Sequence, residues 1–474
     1  MITKDLTDTI AVISTPMGES GIGIVRISGK DALRIADRIF VSKDGKKPSE
    51  FKTYTVHYGW IINRSQKSEV RSQKNLSSEG VVDEVILTVM RAPKSYTKED
   101  IVEINCHGGV VALRKALDLV LQKGVRLAEP GEFTKRAFLN GRIDLAQAEA
   151  VLDIIQAKTD SAFRISLGQL KGDLSNSIKK IRHTLLDTLS LIEANIDFPE
   201  EEIEIFDTEE IAKGLRRIKA ELDILLDTSK AGRVFREGLL VVICGKTNVG
   251  KSSLLNTLLK QERSIVTAVA GTTRDTIEEE IDIKGIPIRI VDTAGIIKPR
   301  GVVEKKAILR SKRYIEMADL VILIFDGSRD LAKEDNLLIN KLKGKRVIAV
   351  INKMDLKQKI DRAVIIKNFN HTIKISAKKA KNINLLEDRI TDFVYQGKTA
   401  SPESLMLCNL RHIEAVREAQ KLVAEACHLL DNKLSLELVA QSLKDALGCL
   451  DSILGMNYSE DLLDKIFSEF CIGK

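Results

Sequence analysis

The chain has 474 residues, 44% of them hydrophobic, a length and composition that predict roughly three packed domains. Lys and Arg outnumber Asp and Glu by 74 to 67, a formal charge of +7 that permits contact with RNA without demanding it. Aromatic residues make up only 4%, which argues against a stacking platform for single strands, and none of the six cysteines sits in a CxxC pair, which gives no sign of zinc or thioredoxin-like chemistry.

In chain order, Ile22–Ile27 and Val85–Met90 predict strands, and Asp31–Ile39 and Val111–Gln122 predict helices. Residues 1–122 therefore read as an α+β domain, with a polar loop or insertion at Ser65–Gly80. Over 123–237 apolar residues recur at helical spacing, at Ala146, Ala150, Val151, Ile154 and Ile155 and again at Ile178, Ile181, Leu185, Leu189 and Ile192. Asp197-Phe198-Pro199 closes one of these helices. From 238 to 397 apolar runs alternate with helices: Leu239–Cys244, Ile288–Asp292, Leu320–Asp326 and Val347–Asn352 have the composition of buried parallel strands. This segment predicts a doubly wound α/β domain. Residues 398–474 are helical again, so the α/β domain reads as an insertion between two parts of a helical domain. Met1–Gly18 lacks a signal-peptide core, and Leu320–Phe325, the most apolar run, is too short to span a bilayer. With few, scattered cysteines, the expectation is a soluble cytoplasmic protein with no membrane contact.

Gly245-Lys246-Thr247-Asn248-Val249-Gly250-Lys251-Ser252 fits G-x-x-x-x-G-K-[ST] between an apolar strand and the helix Ser253–Leu259. Such a loop turns backbone N–H groups toward phosphate oxygens at a helix N-terminus. Lys251 is then expected at the β and γ phosphates and Ser252 at Mg²⁺. Asp292-Thr293-Ala294-Gly295 ends a later strand, where Asp292 would reach Mg²⁺ through water and the Gly295 N–H would meet the γ-phosphate. Asn352-Lys353-Met354-Asp355 follows another strand. The Asp355 carboxylate can accept from guanine N1 and N2, which adenine cannot offer, so the expected nucleotide is GTP. Ser376-Ala377-Lys378 closes the base pocket. Between the first two boxes lies Gly271-Thr272-Thr273-Arg274-Asp275, from which Thr273 is expected to close over Mg²⁺.

Many regulatory GTPases orient water with a Gln after the DTAG glycine. Ile296 and Ile297 stand there instead, so hydrolysis needs another group. The Asn248 side-chain oxygen can help hold a monovalent cation beside the phosphates, with carbonyls of Thr267–Gly271 completing its shell. Glu304 is either a solvated acid at a helix start or, if its segment folds inward, the group that positions water.

These boxes, with the two ends of the chain, resemble the MnmE (TrmE) family of tRNA-modifying GTPases. The residues that carry the resemblance are Cys471-Ile472-Gly473-Lys474 after Phe467-Ser468-Glu469-Phe470, Thr15-Pro16, Gly23-Ile24-Val25-Arg26-Ile27-Ser28-Gly29, His107-Gly108-Gly109, Pro130-Gly131-Glu132-Phe133, Arg136-Ala137-Phe138-Leu139-Asn140 and Asp144-Leu145-Ala146-Gln147-Ala148-Glu149. The resemblance covers nearly the whole chain. It implies an N-terminal domain that binds tetrahydrofolate and forms a homodimer, with a G domain inserted into a helical one. It implies GTP hydrolysis activated by K⁺ and by G-domain dimerisation. It implies work with MnmG, an FAD protein, in a heterotetramer or larger complex that adds carboxymethylaminomethyl or aminomethyl to C5 of the wobble uridine of certain tRNAs. The one-carbon unit comes from 5,10-methylenetetrahydrofolate, with 5-formyltetrahydrofolate as an analogue.

Carried over by position, Arg26, Glu103, Arg142 and Lys474 match folate contacts. Asn248 matches the K⁺ side-chain ligand, with Thr267, Val269 and Thr272 supplying carbonyls. Glu304 matches the catalytic glutamate. Cys471 matches the tail cysteine, either a mobile thiol or a group acting near folate or partner. The nucleotide contacts then comprise Asn248, Val249, Gly250, Lys251, Ser252 and Ser253; Thr267, Ala268, Val269, Ala270, Gly271, Thr272 and Thr273; Asp292, Thr293, Ala294 and Gly295; and Asn352, Lys353, Asp355, Ser376 and Ala377. Two rival classes remain open on the G boxes alone, a GTP-switched binding module and a structural protein that binds GTP for stability. The Cys-Ile-Gly-Lys tail favours the enzyme.

Overall fold

The computed structural model describes residues 8–63, 80–197, 208–261, 278–292, 312–395, 405–471 and 473–474. The chain divides into two compact units, Met1–Leu152 with Leu454–Lys474, and Asp153–Ile453. The last segment of the chain thus belongs with the first.

The first unit holds a seven-stranded sheet in the order β3-β4-β5-β6-β2-β1-β7. Its strands are β1 Ile10–Ile13, β2 Ser20–Ser28, β3 Phe40–Ser42, β4 Thr55–Ile62, β5 Val81–Met90, β6 Ile101–Gly108 and β7 Arg126–Leu127. Helices α1 (Ala32–Ile39) and α2 (Val110–Leu121) cover one face, burying Val25, Ile27, Leu87, Ile104 and Leu113. Strand β1 is an unbroken apolar run because both its faces are covered: Ala11 joins that core, while Ile10 and Val12 pack with Phe133 on the other side. The expected strands and helices of this unit are present with ends shifted by a few residues. The 65–79 part of the polar stretch lies outside the described residues.

Helix α3 (Glu132–Leu139) follows Gly131, whose φ of 68° is left-handed. A Cβ there would come within 2.6 Å of the Phe467 carbonyl oxygen, so glycine allows the C-terminal helix Glu460–Ser468 to lie on α3. Lys135 Nζ meets Asp464 Oδ1 at 2.7 Å across the same contact.

The second unit begins within α4 (Leu145–Gln156) and continues through α5 (Asp160–Lys171), α6 (Asp173–Asp197) and α7 (Thr208–Glu237). Ile178, Ile181, Leu185, Leu189 and Ile192 form the buried stripe of α6, which is described as far as Asp197; Phe198 and Pro199, expected to close it, lie outside the described residues. Helices Leu410–Asp431 and Leu436–Leu454 complete the helical part.

Inserted between them is a six-stranded sheet, β13-β12-β11-β8-β10-β9. Its strands are β8 Leu239–Cys244, β9 Glu278–Ile283, β10 Ile286–Asp292, β11 Leu320–Asp326, β12 Val347–Asn352 and β13 His371–Lys374. All pair in parallel except β9, which forms a hairpin with β10. Strand β8 shows why these runs are continuously apolar: Leu239, Val241 and Ile243 face one core while Leu240, Val242 and Cys244 face the other. Helix α8 (Lys251–Gln261) follows β8 through the glycine loop.

Candidate functional site

The carboxyl ends of β8, β10, β12 and β13 bring together the phosphate loop, Asp292, the Asn352–Asp355 box and Ser376–Ala377, as the crevice rule for open α/β sheets requires. Gly250 has a φ of 102°, and a Cβ there would collide with the Asn352 amide, so only glycine lets the loop pass. Asn352, 3% exposed, spans two boxes: its Nδ2 donates to the Val249 carbonyl at 2.9 Å and its Oδ1 accepts from the Ala377 N–H at 2.9 Å. Lys353, at a φ of 65°, donates from Nζ to the Asn248 carbonyl at 2.9 Å and to Asp326 Oδ2 at 2.6 Å.

Lys251 Nζ donates to the Gly245 and Lys246 carbonyls at 2.8 and 2.6 Å. Burial draws its ammonium below the ordinary lysine range, against the opposing pull of Asp292. A group so placed gains strongly from a phosphate anion, which replaces lost hydration with charge. Ser252 Oγ donates to Asp292 Oδ2 at 3.3 Å. This hydroxyl and carboxylate, side by side at a phosphate loop, are hard oxygen donors of the kind Mg²⁺ takes.

Asp355 Oδ1 accepts from Ser376 Oγ at 2.6 Å, and that bond, above all other causes, lowers the Asp355 pKa. An ionised, oriented carboxylate is the acceptor that a guanine edge needs. Thr257 Oγ1 of α8 donates to the Ala377 carbonyl at 2.9 Å, tying the third wall of the base pocket to the phosphate helix. Asp326 was not among the expected residues. Burial raises its pKa, but Lys353 and Ser328 outweigh burial and keep it low. Its only sequence signal is an acid closing an apolar strand.

Asn248 has a φ of 65°, a left-handed conformation that asparagine tolerates. Thr267, Ala268, Val269, Ala270, Gly271, Thr272, Thr273, Thr293, Ala294, Gly295 and Glu304 lie outside the described residues.

A second constellation lies in the first unit. Arg26 on β2 and Glu103 on β6 are direct cross-strand partners, with Nε to Oε1 at 2.8 Å. Arg26 Nη1 also donates to the Gly473 carbonyl at 3.3 Å, and the Arg26 guanidinium lies 5.6 Å from the Phe133 ring centroid. Lys474 is half-buried: desolvation and the nearby Arg26 lower its pKa, while Glu103 opposes them. The structure thus gathers Arg26, Glu103 and Lys474, the first and last of which are 448 residues apart in sequence. Arg142 is exposed and sits over the Tyr96 ring at 4.6 Å, donating to the Tyr96 carbonyl at 3.1 Å. Tyr96, whose hydroxyl lies 2.9 Å from Thr134 Oγ1, was missed in the sequence because it sits in a polar loop with no periodicity. Cys471 is exposed.

The chain matches the family model described as GTP-binding protein TrmE N-terminus over residues 9–142 and that of the MnmE helical domain over residues 145–471. It is 45% identical to the tRNA modification GTPase MnmE of Alkaliphilus oremlandii, covering 99% of this chain and 100% of that protein. The protein of the same name from Clostridioides difficile is 46% identical over 99% and 100%, and that from Bacillus subtilis 43% over 98% and 100%. A solved structure, the G domain of the T. maritima FeoB iron transporter, matches 33% of this chain and 98% of its own at 26% identity, with a TM-score of 0.25. Among the described residues no helix is long and apolar enough to cross a membrane. On full-length identity and on both matching domains, this chain belongs to the MnmE family of tRNA modification GTPases.

Proposed function

We propose that this chain is a K⁺-activated GTPase whose cycle drives a folate-dependent modification of tRNA at C5 of the wobble uridine. The observation that carries the reading is the meeting of Arg26, Glu103 and the Gly473–Lys474 tail in one unit. Arg and Lys suit the glutamate carboxylates of a folate, and Glu103 can accept from a pterin N–H edge. Arg142 on Tyr96 is a further cationic contact. The bound 5,10-methylenetetrahydrofolate supplies a one-carbon unit, and the chain's own residues hold and orient it, with 5-formyltetrahydrofolate as a binding analogue.

On the nucleotide side, Lys251 meets phosphates, Ser252 and Thr273 hold Mg²⁺, Asp355 reads guanine, and Asn248 with the carbonyls of Thr267, Val269 and Thr272 holds K⁺. Glu304 positions water in place of the missing Gln. Val56, Tyr58 and Ile86 are exposed on the sheet face opposite α1 and α2, with Tyr58 and Ile86 directly paired. Exposed apolar residues grouped in this way favour burial against a second copy, which supports a homodimer. A flavoprotein of MnmG type is the partner in the modification, and the cytoplasm is where both would meet tRNA.

The test is GTP turnover in K⁺ against Na⁺. Turnover is expected to be at least about tenfold higher in K⁺, with the difference lost in Asn248→Ala; a tenfold rate corresponds to about 1.4 kcal/mol of barrier. Equal rates in both salts would remove the cation from the reading.

A further inference from the structure

A cavity of about 330 Å³ opens in the second unit at the amino ends of the parallel strands. Leu239 begins β8, Asp319 immediately precedes β11, and Arg346 immediately precedes β12. The phosphate loop and base pocket stand at the carboxyl ends of the same strands, about 20 Å away across six or seven residues of strand. This cavity is therefore separate from the nucleotide site.

Its charge is unbalanced. Lys230 and Arg233 of α7, Arg346, and Arg417 of helix Leu410–Asp431 line it with a single carboxylate, Asp319. That carboxylate is already committed, accepting from Arg233 Nη2 at 3.0 Å and from the Leu240 N–H at 3.0 Å. Arg233 also lies 3.7 Å from Glu237. Lys230, Arg346 and Arg417 have no ion-pair partner among the described residues. The Arg346 guanidinium lies 5.3 Å from the Phe393 ring centroid, and the residue is exposed.

We infer that this cavity binds the phosphate backbone of RNA. The inference rests on the proposed tRNA substrate and assigns it a docking point on the helical and G-domain surface. Three unpaired cations facing one opening attract polyanions, and release of condensed counterions supplies the affinity. A planar guanidinium presents two donors to a phosphate in fixed geometry and can stack on a neighbouring base. The opening is broad and its cations are exposed, which suits a repeated backbone charge better than one enclosed anion.

The experiment uses the full chain and a labelled transcript of a tRNA with an unmodified wobble uridine, titrated by anisotropy at several KCl concentrations. Compared are the unaltered protein, the triple variant Lys230→Gln, Arg346→Gln, Arg417→Gln, the single variant Arg346→Lys, and a control, Lys52→Gln, in the first unit. The triple variant is expected to bind at least about tenfold more weakly, with its log–log salt slope reduced by about 2, while its RNA-free GTP turnover is unchanged. Arg346→Lys should keep the slope and lose about threefold in affinity, because charge remains and the flat donor pair is gone. Triple-variant binding and slope equal to those of the control would overturn the inference, leaving the tRNA-modification reading intact if wobble modification persists. No transcript binding at all by the unaltered protein would also overturn it. Persistence of the wobble modification in cells lacking this protein would instead strike the substrate reading itself.

Discussion

Asn352 Nδ2 donates to the carbonyl of Val249 at 2.9 Å, so the residue that opens the guanine box also holds the phosphate loop. In the proposed site, base recognition and phosphate recognition are thereby one structural element. Asn352→Ala would strip partners from two buried backbone groups, the Val249 carbonyl and the Ala377 N–H, at a cost of about 1–3 kcal/mol each. GTP KM should rise at least about tenfold and the second unit should unfold at lower denaturant. Asn352→Asp, which keeps the acceptor and loses the donor, should fall between. Unchanged KM and midpoint in Asn352→Ala would show that the two boxes are independent.

Asp355→Asn exchanges one acceptor oxygen for a donor amide. The carboxylate that Ser376 orients would no longer match guanine N1–H and N2–H, but the amide would match the 2-oxo group of xanthine. GTP affinity should fall by about 10²-fold while XTP gains, since a mismatched polar edge leaves groups unpaired. Competition binding of the two nucleotides measures this, and a retained GTP preference would place base recognition elsewhere.

Acid should weaken the first unit through a buried charge cluster. Arg136, 1% exposed, pairs with Asp8, Glu99 and Glu132, and Arg126 pairs with Asp8 and Glu132. Burial raises the pKa of Asp8 and of Glu132, yet both arginines outweigh it and hold each below its ordinary value of 3.8 and 4.5. Groups with lowered folded pKa values contribute stability that is present above the unfolded values and lost as pH falls through the folded ones. Denaturation should therefore become easier as pH drops below about 4.5, followed through Trp60, the only tryptophan, which lies on β4. Glu132→Gln should be less stable at pH 7 and show a flatter acid limb. A stability constant from pH 7 to pH 3.5 in the unaltered chain would contradict this.

Much of the candidate nucleotide site was legible because its signals are local. Strands β8, β11 and β12 are covered on both faces and so read as unbroken apolar runs, and β8 and β12 each end in or beside a box. The hairpin strand β9 was not legible. Its Glu278-Glu279-Glu280 start has no strand character, and it forms by pairing with β10 through the turn at Lys284 and Gly285, both at positive φ. Asp326 acts through Lys353 and carries no motif of its own. In the first unit, the meeting of Arg26 with Gly473 depends on a chain reversal that no periodicity encodes; family resemblance alone pointed to it. The Asp8–Arg136 cluster is opaque for the same reason, since buried charge runs against every composition rule.

Arg26→Ala should separate the two halves of the account. It removes the cation that touches Glu103 and the tail, so binding of 5-formyltetrahydrofolate should fall by at least about tenfold, the scale expected for losing a charge-assisted hydrogen bond. GTP turnover should stay within about twofold, because the side chain lies in a different unit from the glycine loop. Folate binding measured by calorimetry beside GTP turnover decides it; a parallel loss of both would mean that the variant disrupts folding rather than the folate contact.

The most direct measurement of the central claim is mass analysis of wobble nucleosides in tRNA from cells lacking this protein, complemented with the unaltered chain or with Arg26→Ala. The account predicts that the C5-substituted uridine disappears in the deletion, returns with the unaltered chain and stays absent with Arg26→Ala. Persistence of that nucleoside in the deletion strain would contradict it.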